Sequence, residues 1–598
     1  MRFSLLDADP GRLPFTINDH PLHYYYSQIT ADFFALRHSF WGYDPYFMAG
    51  YAKTMIFPTG CTLPELVAVV FGRGSVRAFR WFVASTIFLP PILLGLAARQ
   101  IARSWGAFML GFCLSVVWVW CGWPISYVMW GMAPFILSVA TSVLAGSVLA
   151  AWLDEPSAKM LIAGGTLATI AVVAHPCSPV ILALMLLPAY AARARDMNWR
   201  RHLTAWSLPA TVILLWSPWW LPAWRLRDTF GSTETGFVNA NIGGRLLELA
   251  QTWLGMDPRF REEAALLLAG AAAAVSLWGV GRARYCAVVG GAAAFFVFTY
   301  FGSAVEWVWK LQPGRYTQPL YAVLIVIVGA GWSRIASDLA KRPWRLRAVV
   351  TIAVSILCSV AGAGLVGPKV VAYLSHGPRP PFPTQLSPPV RELIDFLRVN
   401  IDSSGRVLFE DRGGADLGGF EPFQGTNPSA LLPILAPGQY IGGPYLNTHL
   451  ATNFTQFGDF KFFGRPVQTI DRETFDRYAR LYNVRWLVAW SPPIQQLADR
   501  NPDQFLPRGQ FGYLRVYELT RDPNWAIVGT ASVMARPDRL EVRDAAPDEH
   551  GTLILSYHWV STLRSSESLV PITLGDDPVP FIGVRNAPRE FVIENRLW

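Results

Sequence analysis

The chain has 598 residues, of which 52% are apolar and only 16% are charged, against roughly 25% charged residues in an ordinary soluble protein. With a mean hydropathy of +0.28, this composition excludes a disordered chain and a simple soluble protein. Residues 1–367 carry 28 Lys and Arg against 17 Asp and Glu, whereas residues 368–598 carry 23 against 25. A positive excess between long apolar runs indicates membrane orientation rather than nucleic-acid affinity, so we expect no nucleic-acid partner.

The cysteines give no structural framework. The six cysteines include no CxxC pair, and none follows residue 367. Neither a disulfide scaffold nor a zinc site is predicted.

The chain opens with a polar, aromatic-rich segment, residues 1–78, which has no apolar signal-peptide core. Within it, Asp19, His20, His23 and Asp44 are interleaved with many tyrosine, phenylalanine and tryptophan residues. Aromatic rings beside charged groups suit a surface that holds both a sugar face and a charged head group.

Ten stretches of about 20 residues, or somewhat fewer, are apolar enough to span a membrane and define a membrane domain over residues 79–367. They lie near 79–98, 104–121, 131–152, 160–174, 179–192, 203–222, 264–281, 285–302, 318–333 and 348–367. The spans contain no Asp or Glu, and their few ionisable side chains lie at the ends. Because ion relays are built from carboxylates inside the membrane, an ion-coupled transporter is disfavoured.

The loops between the spans alternate in charge. Fourteen Lys and Arg lie in the short segments 99–103, 153–159, 193–202, 282–284 and 334–347. The intervening short loops carry no basic residue in 122–130 and 175–178 and two in 303–317. The positive-inside rule therefore places the first set in the cytoplasm, and the first segment and everything after residue 367 outside.

This topology requires the N-terminal segment to lie on the outer side of the membrane. Residues 1–78 would have to cross the membrane with no preceding helix, so we expect a further span upstream, eleven in the complete gene. Translocation of the segment by the first span alone is the alternative.

The C-terminal part has the pattern of a water-exposed region. After a linker at 368–384, residues 385–524 predict an α/β domain, with a helix at 390–401 and long loops at 412–468. Its buried strands are RVLFE (406–410), VRWLVAW (484–490) and LRVYEL (514–519). The alternating segments of 525–598 predict a small antiparallel β-sandwich.

The first segment resembles the outward loop of the GT-C superfamily, polytopic glycosyltransferases that use polyprenyl-phosphate-linked sugars. The phrases NDHPLHYYYSQ and WGYDPYFMAGY match that loop, with Asp19 at the place of the family's essential Asp. With YNVRWLVA, RVYEL and GTLILSYHW towards its end, the chain is most similar to the bacterial YfhO-type membrane proteins. The first span of the family pattern is absent from this sequence.

The resemblance implies an α-helical polytopic membrane protein, GT-C-like, with a C-terminal extracytoplasmic α/β plus β-sandwich domain, in the bacterial inner membrane. It implies inverting transfer of a sugar from a polyprenyl-phosphate donor to a glycan, lipid or protein acceptor on the outer face, beside membrane lipid. Such a transfer needs a base for the acceptor hydroxyl and positive groups for the phosphate. A catalytically silent scaffold or lipid-linked-glycan handling protein with the same fold is the alternative.

Specific residues can fill these roles. Asp19 fits the base, and Lys310 and Arg315, just outside the span at 318–333, fit the phosphate. The other expected substrate-binding residues are His20, His23, Asp44 and His175. Whether a divalent metal ion is used, with Asp19 and Asp44 as its ligands, stays open.

Each role has a structural alternative. Asp19 precedes a plausible helix with Pro21 in its first turn, and could cap it. Asp44 directly precedes a proline and could form a turn. Lys310 and Arg315 could anchor at the membrane interface, and a single histidine such as His175 is more often a satisfied polar residue.

Overall fold

The computed structural model describes residues 13–54, 63–231, 242–253, 261–309, 311–343, 382–411, 423, 427–444, 450–458 and 460–596. The predicted span at 348–367, Lys310 and most of the linker 368–384 lie outside these residues.

Helices dominate the first part of the described chain, and each predicted span up to 318–333 coincides with one or two of them. Proline near the first turn opens several of these helices, where its missing N–H is not needed. The helices are α1 (His20–Arg37), α2 (Leu63–Phe71), α3 (Val76–Ala102), α4 (Trp105–Cys121), α5 (Trp123–Met129), α6 (Ala133–Asp154), α7 (Ala158–Ala174), α8 (Ser178–Arg193), α9 (Trp199–Leu215), α10 (Ser217–Arg225), α11 (Ile242–Trp253), α12 (Arg261–Ser276), α13 (Arg282–Tyr285), α14 (Gly291–Phe301), α15 (Glu306–Trp309) and α16 (Thr317–Ala340).

Four helical segments in the described ranges are long and apolar enough to cross a membrane: α3, α6, Arg282–Ala304 and Pro313–Ala340. The bent pair α4 and α5 makes a fifth if it counts as one span. Large apolar side chains lie exposed on the outer faces of the bundle, among them Phe88, Ile162, Leu203 and Leu214. Exposed apolar surface of this kind is stable against lipid tails.

The loops rich in positive charge meet at one end of the bundle, which we call the basic end. Asp154, at the end of α6, accepts the backbone N–H of Arg284 at 3.2 Å and lies 3.7 Å from the guanidinium of Arg193. Arg103, after α3, pairs with Glu155. The loops that the sequence groups by charge are therefore grouped in space.

At the opposite end, which we call the domain end, the uncharged loops of the bundle contact α1 and the C-terminal part. Four further helices lie in that part: α17 (Pro388–Asn400), α18 (Leu432–Leu435), α19 (Arg472–Leu481) and α20 (Pro492–Arg500). The strands are β1 (Gly42–Asp44), β2 (Tyr51–Lys53), β3 (Arg406–Phe409), β4 (Tyr440–Ile441), β5 (Phe457–Gly458), β6 (Lys461–Phe462), β7 (Arg465–Pro466), β8 (Val484–Ala489), β9 (Phe505–Phe511), β10 (Leu514–Leu519), β11 (Ala526–Val528), β12 (Thr530–Arg536), β13 (Arg539–Ala546), β14 (Thr552–His558), β15 (Leu563–Arg564), β16 (Leu569–Ile572), β17 (Phe581–Arg585) and β18 (Phe591–Asn595).

Three larger sheets and the small three-stranded sheet β5-β6-β7 organise the described C-terminal part. A five-stranded sheet has the order β4-β3-β8-β10-β9, with β3 parallel to both β4 and β8 and with β10 antiparallel to its neighbours. Two four-stranded antiparallel sheets, β11-β14-β17-β16 and β12-β13-β18-β15, share one apolar core as a sandwich. The chain is therefore mostly helical, with several candidate membrane spans and a β-rich C-terminal domain.

The prediction of long loops over 412–468 is wrong for much of its described part. These residues contain a 3₁₀ turn at Pro428–Leu431, the short helix α18 and strands of two residues each. Strands this short show no alternation of apolar and polar residues, so the sequence pattern gives no signal for them.

Backbone hydrogen bonds join the first segment to both C-terminal units. The N–H of Tyr43 in β1 donates to Asp538 Oδ1 at 2.6 Å, on the sandwich. The N–H of Tyr440 in β4 donates to the carbonyl of Tyr46 at 2.7 Å. The first segment is thus an integral layer between the bundle and the C-terminal part.

Candidate functional site

Helix α1 carries three of the predicted site residues at its first turn. Pro21 stands at the start of the helix, and His38 ends it with a left-handed φ of 54°. Almost every residue from His20 to Ala31 is buried, because α1 is enclosed by the bundle, α2 and the C-terminal part. Polar side chains on such a helix must find partners inside the protein.

Asp19 lies where three parts of the chain meet. Its side chain is half-buried, and Oδ1 accepts a hydrogen bond from Asn427 Nδ2 at 3.1 Å. Gly131, with a φ of +89°, approaches so closely that a Cβ there would lie 2.7 Å from Asp19 Cβ. Asp19 occupies the N-cap position of α1, but its side chain makes no capping hydrogen bond.

His20 and His23 attach α1 to the loop between α5 and α6. His20 Nε2 donates to the carbonyl of Val128 at 2.8 Å, and His23 is hydrogen-bonded to the backbone of Gly131. Burial lowers the pKa of His20 to about 3 and that of His23 to about 4. Both imidazoles are therefore neutral at physiological pH, able to hydrogen-bond but carrying no charge.

His175 and Arg315 belong to the same region of the domain end. His175 follows α7 and is buried, and its Nδ1 accepts the N–H of Cys177 at 3.2 Å. Burial, followed by the nearby charge of Arg315 and by His23, lowers the pKa of His175 to about 3. His175 therefore lies within electrostatic range of Arg315 and His23.

Arg315 is the positive group of this cluster. It lies half-buried in the 3₁₀ turn Pro313–Tyr316 that leads into α16. Within the ranges that the structure describes, its guanidinium makes no ion pair and no side-chain hydrogen bond. A half-buried guanidinium in this state favours the arrival of an anion.

Asp44 lies elsewhere. It accepts the hydroxyl of Tyr25 at 2.7 Å and the N–H of Tyr46 at 2.9 Å, and is fully buried. The second bond is an Asx turn, and burial raises the pKa of Asp44 to about 6. Tyr25 is six residues from Asp19, or about 9 Å along α1. The role of Asp44 as a substrate ligand stays a prediction.

A divalent metal site is not formed by these residues. Over the described ranges, no group of three or more His, Cys, Asp or Glu side chains is placed to hold a metal ion. Since Asp19 is paired with Asn427 and Asp44 with Tyr25, the two predicted carboxylates do not share a cation position.

Asn427 and Gly131 contact Asp19 and were not predicted from the sequence. Asn427 lies in the stretch predicted as loops, and its signal is only that it precedes a proline at the start of a helical turn. Gly131 follows a tryptophan at a helix end, a common place for a left-handed residue. Neither feature of the sequence indicates that the residue contacts Asp19.

No family model and no curated protein matches the chain. Among solved structures, the chain is similar to the crystal structure of ArnT from Cupriavidus metallidurans bound to undecaprenyl phosphate. The two share 15% identity over 85% of this chain and 94% of that chain, with a TM-score of 0.45.

The contact between Gly131 and Asp19 can be tested by adding one methyl group. Gly131→Ala should lower the free energy of unfolding by about 1–3 kcal/mol more than Gly74→Ala, because a Cβ at 131 overlaps Asp19. Gly74 is the matched control, since it has a φ of +81° and nothing within 4 Å of an added Cβ. Thermal unfolding of the two purified variants measures the difference. Equal losses would mean that α1 does not dock through this contact.

Proposed function

We propose that the chain is an inverting membrane glycosyltransferase of the GT-C type. It moves a sugar from a polyprenyl-phosphate donor to a glycan, lipid or protein acceptor at the domain end. The observation that carries this proposal is Arg315, a half-buried guanidinium without an ionic partner in the described ranges, beside His175 and His23. Asp19 lies one helical turn from His23, whose N–H donates to the Asp19 carbonyl at 3.0 Å.

The donor phosphate belongs at Arg315. A guanidinium grips two phosphate oxygens at once, and its position beside α16 is where the head group of a membrane lipid reaches the bundle. His175, held neutral by burial and with its Nδ1 accepting from the Cys177 N–H, carries its proton on Nε2 and can donate a hydrogen bond to the same anion. The neutral His23 uses its single N–H on the backbone of Gly131. Charge stabilisation of the departing phosphate then depends on Arg315 among the described residues of the cluster.

Asp19 is the base for the acceptor. The acceptor hydroxyl oxygen attacks the anomeric carbon while the bond from that carbon to the phosphate oxygen breaks. The hydroxyl proton passes to the carboxylate of Asp19, and the lipid phosphate leaves as an anion. Because the attack comes from the face opposite the phosphate, the anomeric configuration inverts. Asn427 orients the carboxylate through the bond to Oδ1.

Membrane orientation completes the proposal. The basic end, with the loops that hold Arg103, Arg193 and Arg284, faces the cytoplasm of a bacterial inner membrane by the positive-inside rule. The domain end and the C-terminal part then lie outside the cytoplasm, and the proposed sugar transfer takes place there.

One observation supports the alternative function, a catalytically silent scaffold. Asp19, His20 and His23 all have hydrogen bonds with protein groups, namely Asn427, Val128 and Gly131. A protein that only needs α1 to be docked would use the same contacts. The experiments below separate docking from chemistry.

The first experiment compares Asp19→Asn with Asn427→Ala. If Asp19 is the base, Asp19→Asn should lower kcat about 10²–10⁴-fold, because the amide keeps the shape but cannot take a proton. Asn427→Ala removes the hydrogen bond alone and should cost about tenfold or less. Turnover of a panel of polyprenyl-phosphate sugars by purified protein in nanodiscs gives both values. Equal effects of the two variants would leave Asp19 a docking residue.

The second experiment exchanges one cation for another at Arg315. Arg315→Lys keeps the charge but loses the two-pronged grip, so kcat/KM for the donor should fall about 10–100-fold. The matched control is Arg227→Lys, since Arg227 is an exposed arginine beside Trp224 (5.1 Å). An interfacial anchor tolerates lysine, and the control should therefore keep full activity. Unchanged kinetics for Arg315→Lys, or no turnover by the unchanged protein with any donor, would favour the scaffold.

The third experiment tests orientation with single cysteines at exposed positions of the two ends. A membrane-impermeant maleimide should label Ser566→Cys, on the β-rich domain, in cells with an opened outer membrane. Lys341→Cys, after α16, should react only when the inner membrane is made permeable. The reverse pattern would invert the proposed topology.

A further inference from the structure

A cavity of about 510 Å³ lies beside the five-stranded sheet of the C-terminal part. Three aromatic side chains, Phe460, Trp490 and Tyr513, line it. The other lining residues are Pro492, Gln495, Gln510 and Arg515. Nothing in the proposed transfer reaction uses these residues.

The cavity lies at the carboxyl end of β8. Apart from Phe460, its lining residues come from the segment after β8, from the end of β9, from the turn that follows it and from the start of β10. Trp490 is the first residue after β8.

The indole of Trp490 is fixed in advance by the neighbouring strand. Its Nε1 donates to the carbonyl of Asp411 at 2.9 Å, and its backbone N–H donates to Glu410 Oε2 at 2.8 Å. Glu410 and Asp411 directly follow β3 and are both buried. Because these bonds already hold the Trp490 side chain, it loses little conformational entropy when a ligand binds.

The lining chemistry selects the ligand. Aromatic faces accept the apolar C–H face of a sugar ring. The amide nitrogens of Gln495 and Gln510 already donate to backbone carbonyls, so these side chains would meet sugar hydroxyls through their carbonyl oxygens. Arg515 is already paired with Asp499 at 2.8 Å, so the cavity offers no uncompensated positive charge to an anionic group. The lining therefore favours a neutral sugar over a phosphate or a uronic acid.

Contacts connect this cavity with Asp19. Ser429 Oγ donates to Asp411 Oδ2 at 2.6 Å, and Asp411 is the residue that holds Trp490. Two residues before Ser429, Asn427 donates to Asp19. One helical turn of the C-terminal part thus contacts both the wall of the cavity and the proposed base.

We propose that this cavity binds a neutral sugar unit of the acceptor, which makes the acceptor a glycan. The word acceptor rests on the proposed glycosyltransferase function, whereas sugar binding by the cavity does not.

Binding is measured without any donor. Full-length protein in nanodiscs is titrated with trisaccharides of glucose, galactose, mannose and N-acetylglucosamine, and saturation-transfer NMR reports the contact. At least one trisaccharide should bind, and Phe460→Ala and Gln510→Ala should each weaken it about five- to tenfold. Gln510 is exposed, so its variant tests the cavity even if Phe460→Ala fails to fold.

The matched pair is Arg515→Ala and Arg508→Ala. Both arginines lie on neighbouring strands of the sheet and pair with a carboxylate, Arg508 with Glu518 at 2.6 Å, but only Arg515 lines the cavity. Arg515→Ala should weaken binding and Arg508→Ala should not. Binding of none of the four probes, or binding that the cavity variants leave unchanged, overturns the proposal.

Asp19→Asn separates this proposal from the proposed reaction. The variant should bind the trisaccharide as the unchanged protein does, because Asp19 does not line the cavity. If the cavity variants weaken trisaccharide binding while the unchanged protein turns over no donor, the transferase proposal fails and the sugar site stands. If donor is turned over and no trisaccharide binds, the sugar site fails alone.

Discussion

The enclosure of α1 by the rest of the protein is the constraint on which the other features depend. In a helix that exposes no long polar face, each buried polar side chain needs a hydrogen-bond partner inside the protein. His20 has a carbonyl of the bundle, and Thr30 accepts a hydrogen bond from Lys53 Nζ at 2.6 Å. Lys53 itself is fully buried and paired with Glu65 at the start of α2. Truncating one member of such a buried pair costs about 3–5 kcal/mol, so these contacts fix α1 in one position.

That fixed position explains how a site can form from distant parts of the chain. Asp19 and His23 come from the first segment, His175 from a helical hairpin, Arg315 from the approach to α16, and Asn427 from the C-terminal part. No single one of these elements positions all five side chains. Asp19, His175 and Arg315 each lie at or beside a helix end, so the packed helices determine where these side chains lie.

The sequence predicted the helices well because long apolar runs carry a strong signal, and the grouping of loops by charge follows from the alternation of spans. It also placed Asp19, His23, His175 and Arg315 among the candidates. It offered a turn at Asp44, and the structure has an Asx turn there. It could not predict the bond from the Tyr25 hydroxyl, because that contact depends on tertiary packing. Asn427 and the cavity around Trp490 were beyond its reach for the same reason, since both depend on contacts between residues far apart in the chain.

The bonds between the first segment and the sandwich also bear on how the protein is made. Tyr43 hydrogen-bonds with Asp538, 495 residues later in the chain. At about 5–20 residues per second, a ribosome needs about 25–100 s to cover that separation. During this time Trp41 and Tyr43 lack the sandwich core that buries them, and their apolar surface is open to wrong contacts. We expect nascent chains to need a chaperone at this segment until the last strands emerge and close over it.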